Sequence, residues 1–301
     1  MIMRSLRKFI YKFVICVALI FAADRLVGIT MEYCVNHLRN GNVYELNYKL
    51  LQAKPAVAIL GSSRANHHYN TFIFQNSLGL KTINYGQDGS DVFMYYIMLK
   101  TLLRASTPKL VILDIKPGEF AGMPNFNQAS TLYPIIDKVA ISDSDLEDIS
   151  QYEKIKLSLY SYRFNNQLFE TYYAATSGKK TDTATINGFL PLPIKTNIFQ
   201  KTNYINTNFN TNVAKYMYAI INLCKNSNIK LIICTSPYYN NIKYDSSLAE
   251  TERICKLSNI QYINYANNPI FTLKDSIFSD EAHLNITGAD LFTKDLIEQI
   301  K

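Results

Sequence analysis

Five short β-rich stretches, at 56–60, 82–85, 110–115, 231–235 and 261–265, give way to longer segments of helical periodicity, with Gly61, Gly86 and Ser236 directly after the first, second and fourth. Runs such as Leu-Val-Ile-Leu-Asp-Ile and Leu-Ile-Ile-Cys-Thr are continuously apolar, which suits strands buried on both faces. The intervening patterns predict helices over 64–78, 90–105, 211–227, 246–258 and 286–300. Strands alternating with helices imply an α/β, flavodoxin-like three-layer fold around a five-stranded parallel sheet. The spacing fails once, between the third strand and the helix near Asn212, where residues 116–210 are too many for a single crossover. This large insert after the third strand, assigned to 119–210, emerges at a strand's C-terminal end, where it is expected either to overhang a ligand crevice as a cap or to serve as a stabilising excursion. Within it, 197–212 reads as loop.

A different pattern occupies the N-terminus. Residues 13–23 (FVICVALIFAA) are uncharged and apolar, and Asp24 and Arg25 follow. The expected organisation is a basic segment and transmembrane helix at 1–31, a helical or mixed connector at 32–54, and an α/β domain at 55–301. An uncleaved anchor over about 9–31 is long enough to span a bilayer, with Lys12 snorkelling to one surface and Asp24 and Arg25 near the other. Two other readings stay open. A cleaved signal peptide would place Phe21 where a small residue is needed, and an amphipathic helix would be buried or lie at an interface.

Charge supports the anchor. The chain carries 31 Lys and Arg against 24 Asp and Glu, a net +7 that would suit a nucleic-acid binder if it were spread over the domain. Arg4, Arg7, Lys8 and Lys12 supply four of these charges with no acid among them, while residues 61–301 hold 23 basic and 21 acidic side chains. With no basic stripe on the domain, nucleic acid is not an expected partner. The cluster instead orients the helix, leaving the N-terminus cytoplasmic and the domain periplasmic or at the cell surface. The five cysteines have no paired short spacing, which excludes a zinc motif or disulfide framework; they read as buried small hydrophobes, with room for one disulfide.

Three motifs carry candidate chemistry. In AVAILGSSRANHHYN (56–70) a buried strand breaks at Gly61 and is followed by Ser62, Ser63 and a helix, which lifts a hydroxyl to the sheet's rim beside backbone amides able to hold an oxyanion. Capping of the helix is the simpler role for either serine. In SDEAHLN (279–285) Asp280 precedes His283 by three residues, so the carboxylate can fix the imidazole tautomer and leave the other nitrogen as a base; a surface histidine capping the last helix is the alternative. In NYGQDGSD (84–91) two glycines allow tight turns that could aim an amide at the first strand's end. Adjacent His67 and His68 are not expected to chelate one metal, and neither a metal nor another cofactor is implied.

Taken together, the Gly-Ser-Ser after the first strand, the Asn-x-Gly-x-x-Gly after the second and the Asp-x-x-His-Leu-Asn-x-x-Gly-Ala before the final helix resemble the SGNH (GDSL-type) hydrolase superfamily, over about 55–115 and 229–300. The resemblance implies Ser63 as nucleophile, Asp280 and His283 as its partners, and the amides of Ser63 and Gly89 as oxyanion donors. Two departures stand out. Ser62 replaces the commoner Asp, so Ser62 and Ser63 must be told apart, and the Gly-x-Asn-Asp block is absent from LVILDIKPGEF (110–120), leaving Asn125 or Asn127 as substitutes from the insert, or a site with two donors.

The anchor, the Gly-Ser-Ser-Arg variant and the insert are similar to SGNH-like proteins of envelope acylation, such as those of D-alanyl transfer to teichoic acid and alginate O-acetylation. That similarity implies an esterase or O-acyltransferase acting on an acylated envelope glycan or other ester, with a membrane-bound O-acyltransferase as a candidate partner. The alternative is a catalytically inert SGNH-like subunit that binds glycan or partners such an enzyme.

Overall fold

A computed structural model describes residues 2–123, 125–195 and 200–301. The chain divides into two compact units: a smaller helical one formed by residues up to Leu46 with Ser130–Thr181, and a larger one formed by Asn47–Ala129 with Asp182–Lys301.

The larger unit is built on β1 (Val57–Leu60), β2 (Thr82–Asn84), β3 (Leu110–Asp114), β4 (Lys230–Thr235) and β5 (Gln261–Asn264), all parallel, in the order β2-β1-β3-β4-β5. This is the flavodoxin-like arrangement expected from the apolar runs. Alternation along the strands divides the core between two faces. Val57, Ile59, Leu110, Ile112, Ile232 and Cys234 pack with Phe74, Phe292 and Leu296 in one cluster. Ala58, Leu60, Val111, Leu113 and Ile233 between them are equally buried, and helices Val92–Ala105 and Thr211–Asn226 meet through Phe93 and Tyr216, whose ring centroids lie 4.9 Å apart. Both faces of the central strands are therefore covered, which is why those strands read as continuous rather than alternating apolar runs.

Two details of the larger unit differ from the sequence reading. The helix expected over 64–78 is two, Ser63–His68 and Thr71–Leu78. At the break Tyr69 is extended, the Asn70 side chain accepts from the N–H groups of Phe72 and Ile73, and the Asn70 N–H donates to Thr293 Oγ1 at 2.9 Å. A capping side chain and a tertiary acceptor thus take up backbone N–H groups left free where the helix breaks. In the stretch expected as loop over 197–212, residues 197–199 lie outside the described residues, but Asn203–Asn206 forms a strand paired in parallel with Asn241–Asp245; the helix expected over 211–227 begins at Thr211. The cross-strand partner is 38 residues away in sequence at Asn203 and Asn241, beyond the reach of a local pattern.

The insert does not stay together as one body. Its central part, Ser130–Thr181, belongs with the N-terminal helix, and its flanks belong with the sheet. In the smaller unit a single helix, Ile2–His37, continues past the expected boundary at residue 31 and is long and apolar enough to cross a membrane. Its residues 3–23 are exposed; Asp24 is the first to be buried, followed by Met31 and Cys34 against Phe164. The connector contains a second helix, Asn42–Leu51. All five cysteines are free, with only Cys16, in the bare apolar stretch, exposed.

Candidate active site

β1 ends at Leu60 and the chain turns through Gly61. A Cβ at Gly61 would lie 2.7 Å from the Ala65 Cβ and 3.0 Å from that of Asp114, so only glycine lets the turn pack between its own helix and β3. Ser62 is the N-cap of helix Ser63–His68; it is buried and its hydroxyl accepts from the Arg64 N–H. Ser63 is the first helical residue, where a backbone N–H has no acceptor within the helix. The two serines are therefore distinct: one closes the helix end, the other projects from it.

The Ser63 hydroxyl lies 2.8 Å from His283 Nε2, and His283 Nδ1 lies 2.9 Å and 3.1 Å from the two oxygens of Asp280. Ser63, Asp280 and His283 are thus brought into one hydrogen-bonded line. With Nδ1–H donating to Asp280, Nε2 is free to accept the serine proton. The Asp280 carboxylate also accepts from the backbone N–H groups of Ala282 at 2.8 Å and His283 at 2.9 Å, so a local turn fixes its direction. Burial works to raise the Asp280 pKa, but these hydrogen bonds and the imidazole outweigh it and hold the carboxyl below its ordinary value. For His283, burial pushes the pKa below the usual imidazole value, His67 and Arg64 push the same way, and Asp280 offsets them only in part. A neutral imidazole at neutral pH is what a base requires.

Gly89 adopts φ +75°, the left-handed region that glycine enters without strain. Asn125 Nδ2 donates to the Gly89 carbonyl at 2.8 Å, and the Asn125 N–H donates to Asp91, the cap of helix Val92–Ala105. Asn125 is therefore joined to the Gly89 turn. Asn127 lies in the 3₁₀ segment Phe126–Lys138. After β3, where the Gly-x-Asn-Asp block would fall, the chain runs through Ile115–Pro117 to Glu119, a buried carboxylate that accepts from the Val92 N–H and from Lys116 Nζ. Burial raises the Glu119 pKa even against the Lys116 charge.

Beneath Ser63 sits a polar network that the motifs did not reveal. Arg64 is buried and donates to the carbonyls of Ser236, Pro237 (2.9 Å) and Ala282 (3.3 Å) and to Ser236 Oγ (3.0 Å). It thereby ties the serine helix to the end of β4 and to the turn carrying His283. Its Nε approaches the carboxylate of Asp114, the last residue of β3, at 4.0 Å without a hydrogen bond. Asp114 accepts from the Tyr69 hydroxyl at 2.6 Å and the Ser236 N–H at 3.0 Å. His68 is fully buried; its Nε2 accepts from the Leu284 N–H at 3.0 Å, so Nδ1–H donates to Ser236 Oγ at 2.9 Å. Burial, with the Arg64 charge behind it, holds the His68 pKa well below that of a free imidazole. The visible sequence signal was an acid closing a continuous apolar strand.

His67 faces elsewhere, toward the Leu190 carbonyl at 2.7 Å and Asp88 at 3.2 Å. The two adjacent histidines therefore do not converge, and no cluster of three His, Cys, Asp or Glu suited to a metal occurs among the described residues. The Leu190 contact brings one flank of the insert beside the site. Asn187 accepts from the Asn84 N–H, Leu190 donates to the Asn66 carbonyl, and Leu192 accepts from the Ile286 N–H. This strap passes so close to β2 that a Cβ on Gly188 would fall 1.8 Å from the Asn84 oxygen.

The site lies past the C-terminal ends of β1 and β3, the switch point of this sheet order, where the connections leave in opposite directions and a crevice opens. By its fold and site the chain is a doubly wound α/β protein in which Ser63, His283 and Asp280 form one hydrogen-bonded line. It matches no family profile and no curated protein sequence. Among solved structures it is similar to a proposed acylhydrolase from Bacteroides fragilis, at 15% identity and a TM-score of 0.38 over 81% of this chain and 85% of that one. It is also similar to a GDSL-like lipase from Bacteroides thetaiotaomicron, at 12% identity and a TM-score of 0.38 over 81% and 88% of the two chains. The chemistry argued below rests on the relay geometry.

Proposed function

We propose that this chain is a membrane-anchored serine esterase or O-acyltransferase acting outside the cytoplasm on an acylated envelope glycan or another ester. The observation that carries the reading is the unbroken line from Asp280 through His283 to the Ser63 hydroxyl, at 2.9 and 2.8 Å. In the proposed cycle His283 Nε2 takes the Ser63 proton as the oxygen attacks the ester carbonyl. The amides of Ser63 and Gly89 stabilise the tetrahedral oxyanion. Collapse expels the alcohol, which takes its proton from His283, and leaves Ser63 acylated. A second acceptor then gives its proton to His283 and attacks the acyl carbon, and collapse expels the Ser63 oxygen, which takes that proton back from His283; water makes the reaction hydrolysis, a sugar hydroxyl makes it transfer. The bare apolar helix and the basic cluster before it support the anchoring, and a membrane-bound O-acyltransferase would suit the transfer reading as a partner.

Labelling by a serine-directed fluorophosphonate and release of p-nitrophenol from its acetate test the assignment. Ser63→Ala loses both, whereas Ser62→Ala keeps labelling and loses about 1 kcal/mol of stability as a missing helix cap. Labelling retained in Ser63→Ala would sink the assignment. The absence of a Gly-x-Asn-Asp block directly after β3 favours the second reading, an inert SGNH-like subunit. A wild-type chain that neither labels nor turns over any acyl ester, yet binds an envelope polysaccharide, would establish that reading instead.

A further inference from the structure

We infer that residues 152–159 of the smaller unit form a second membrane contact, seated in the headgroup and upper acyl region of a phospholipid bilayer beside the point where the N-terminal helix leaves it. The inference rests on the anchoring reading above and adds a surface to it. The helix is exposed from residue 3 to 23 and its cover begins at Asp24. At that level Asp24 accepts from the N–H groups of Tyr160 (3.1 Å) and Ser161 (2.9 Å) and from the Ser161 hydroxyl (2.7 Å), while Arg25 donates to the Ser158 carbonyl at 2.8 Å. The segment is thus fastened to the helix where the bare apolar stretch ends.

Its outward side chains continue that stretch. Tyr152 caps the short helix Glu153–Leu157, Ile155 lies within it and Leu159 follows it in extended backbone; they are 57, 68 and 45% exposed. Their orientation is fixed from the other side: Leu157 is buried, and buried Glu153 accepts from the hydroxyls of Tyr133 and Tyr162 and from Lys156, each at 2.7 Å. A segment that exposes two large aliphatic side chains and a tyrosine, fastened to the N-terminal helix where its bare apolar stretch ends, matches the composition of the bilayer interface, where aromatic rings and apolar anchors gather.

Site-directed spin labelling of the full chain in phospholipid nanodiscs tests this, in a Cys16→Ala background because Cys16 is the exposed native thiol. Nitroxides go on Ile155→Cys and Leu159→Cys, with Val17→Cys as the lipid reference and Lys256→Cys as the aqueous one. Labels at 155 and 159 are expected to be relaxed by oxygen and shielded from a water-soluble nickel chelate, as at 17. Nickel access at 155 and 159 equal to that at 256, with 17 still shielded, would overturn the second contact and leave the anchor standing. Labels immobile and shielded from both reagents would overturn it in favour of a protein neighbour. Nickel access at 17 itself would remove the anchoring reading and the inference with it. An unchanged thermal unfolding midpoint for each cysteine variant shows that the labelled proteins are folded.

Discussion

Replacing Arg64 by Met removes the guanidinium that holds the serine helix against the histidine turn, while keeping a long apolar stem in the same space. The cost has two parts. Asp114, with no exposed surface, loses the Arg64 guanidinium, whose Nε lies 4.0 Å from its carboxylate. At an effective dielectric near 20 that attraction is about 4 kcal/mol, within the roughly 3–5 kcal/mol seen when one member of a buried pair is deleted. The carbonyls of Ser236, Pro237 and Ala282 also lose a charged donor, and each buried acceptor left unpaired costs about 1–3 kcal/mol, less where the site relaxes or admits water. The two parts overlap, so Arg64→Met is expected to lower the unfolding free energy by about 4 kcal/mol in urea titration. Adding Asp114→Asn removes the uncompensated carboxylate while keeping an oxygen for Tyr69 and Ser236. The double variant should therefore recover more than about 1 kcal/mol relative to the sum of the single changes. A loss below about 1 kcal/mol for Arg64→Met, or strict additivity in the cycle, would refute the network's role.

Two further outcomes follow from the site. Because burial holds the His283 pKa below the ordinary 6.5 and the base must be neutral, the rate should be on its plateau at pH 7. It should fall only as pH drops through that lowered pKa, so an acid limb of kcat/KM centred above 6.5 would count against His283 as the base. Gly188→Ala and Gly79→Ala both place a side chain at positive φ, +78° and +65°. Gly79 has nothing within 4 Å of the new Cβ, whereas at Gly188 the Asn84 oxygen lies at 1.8 Å. Gly79→Ala should cost about 1–2 kcal/mol and Gly188→Ala clearly more in thermal unfolding; equal costs would mean that the strap over β2 shifts freely.

Much of the larger unit was legible because its determinants are local or periodic. Continuous apolar runs mark strands buried on both faces, and a carboxylate three residues before a histidine needs only one turn to meet it, as Asp280 and His283 do at 2.9 Å. The apolar run and its basic flank likewise announced a long helix without the fold. What the sequence by itself could not decide depends on partners distant along the chain. Ser62 and Ser63 are chemically alike, and only the start of a helix and an imidazole 220 residues away separate the cap from the hydroxyl in the relay. The division of the 64–78 pattern into two helices turns on the hydroxyl of Thr293. Arg64, His68 and Asp114 resembled an unremarkable turn and strand end until β4 and the final turn closed around them. The end of the exposed helix was set not by the hydropathy of residue 31 but by Asp24, whose carboxylate finds the amides of Tyr160 and Ser161. Burial and backbone periodicity are averages over neighbours that a sequence displays directly, whereas a hydrogen bond needs one particular partner within about 3 Å, and only the tertiary fold decides which residue that is.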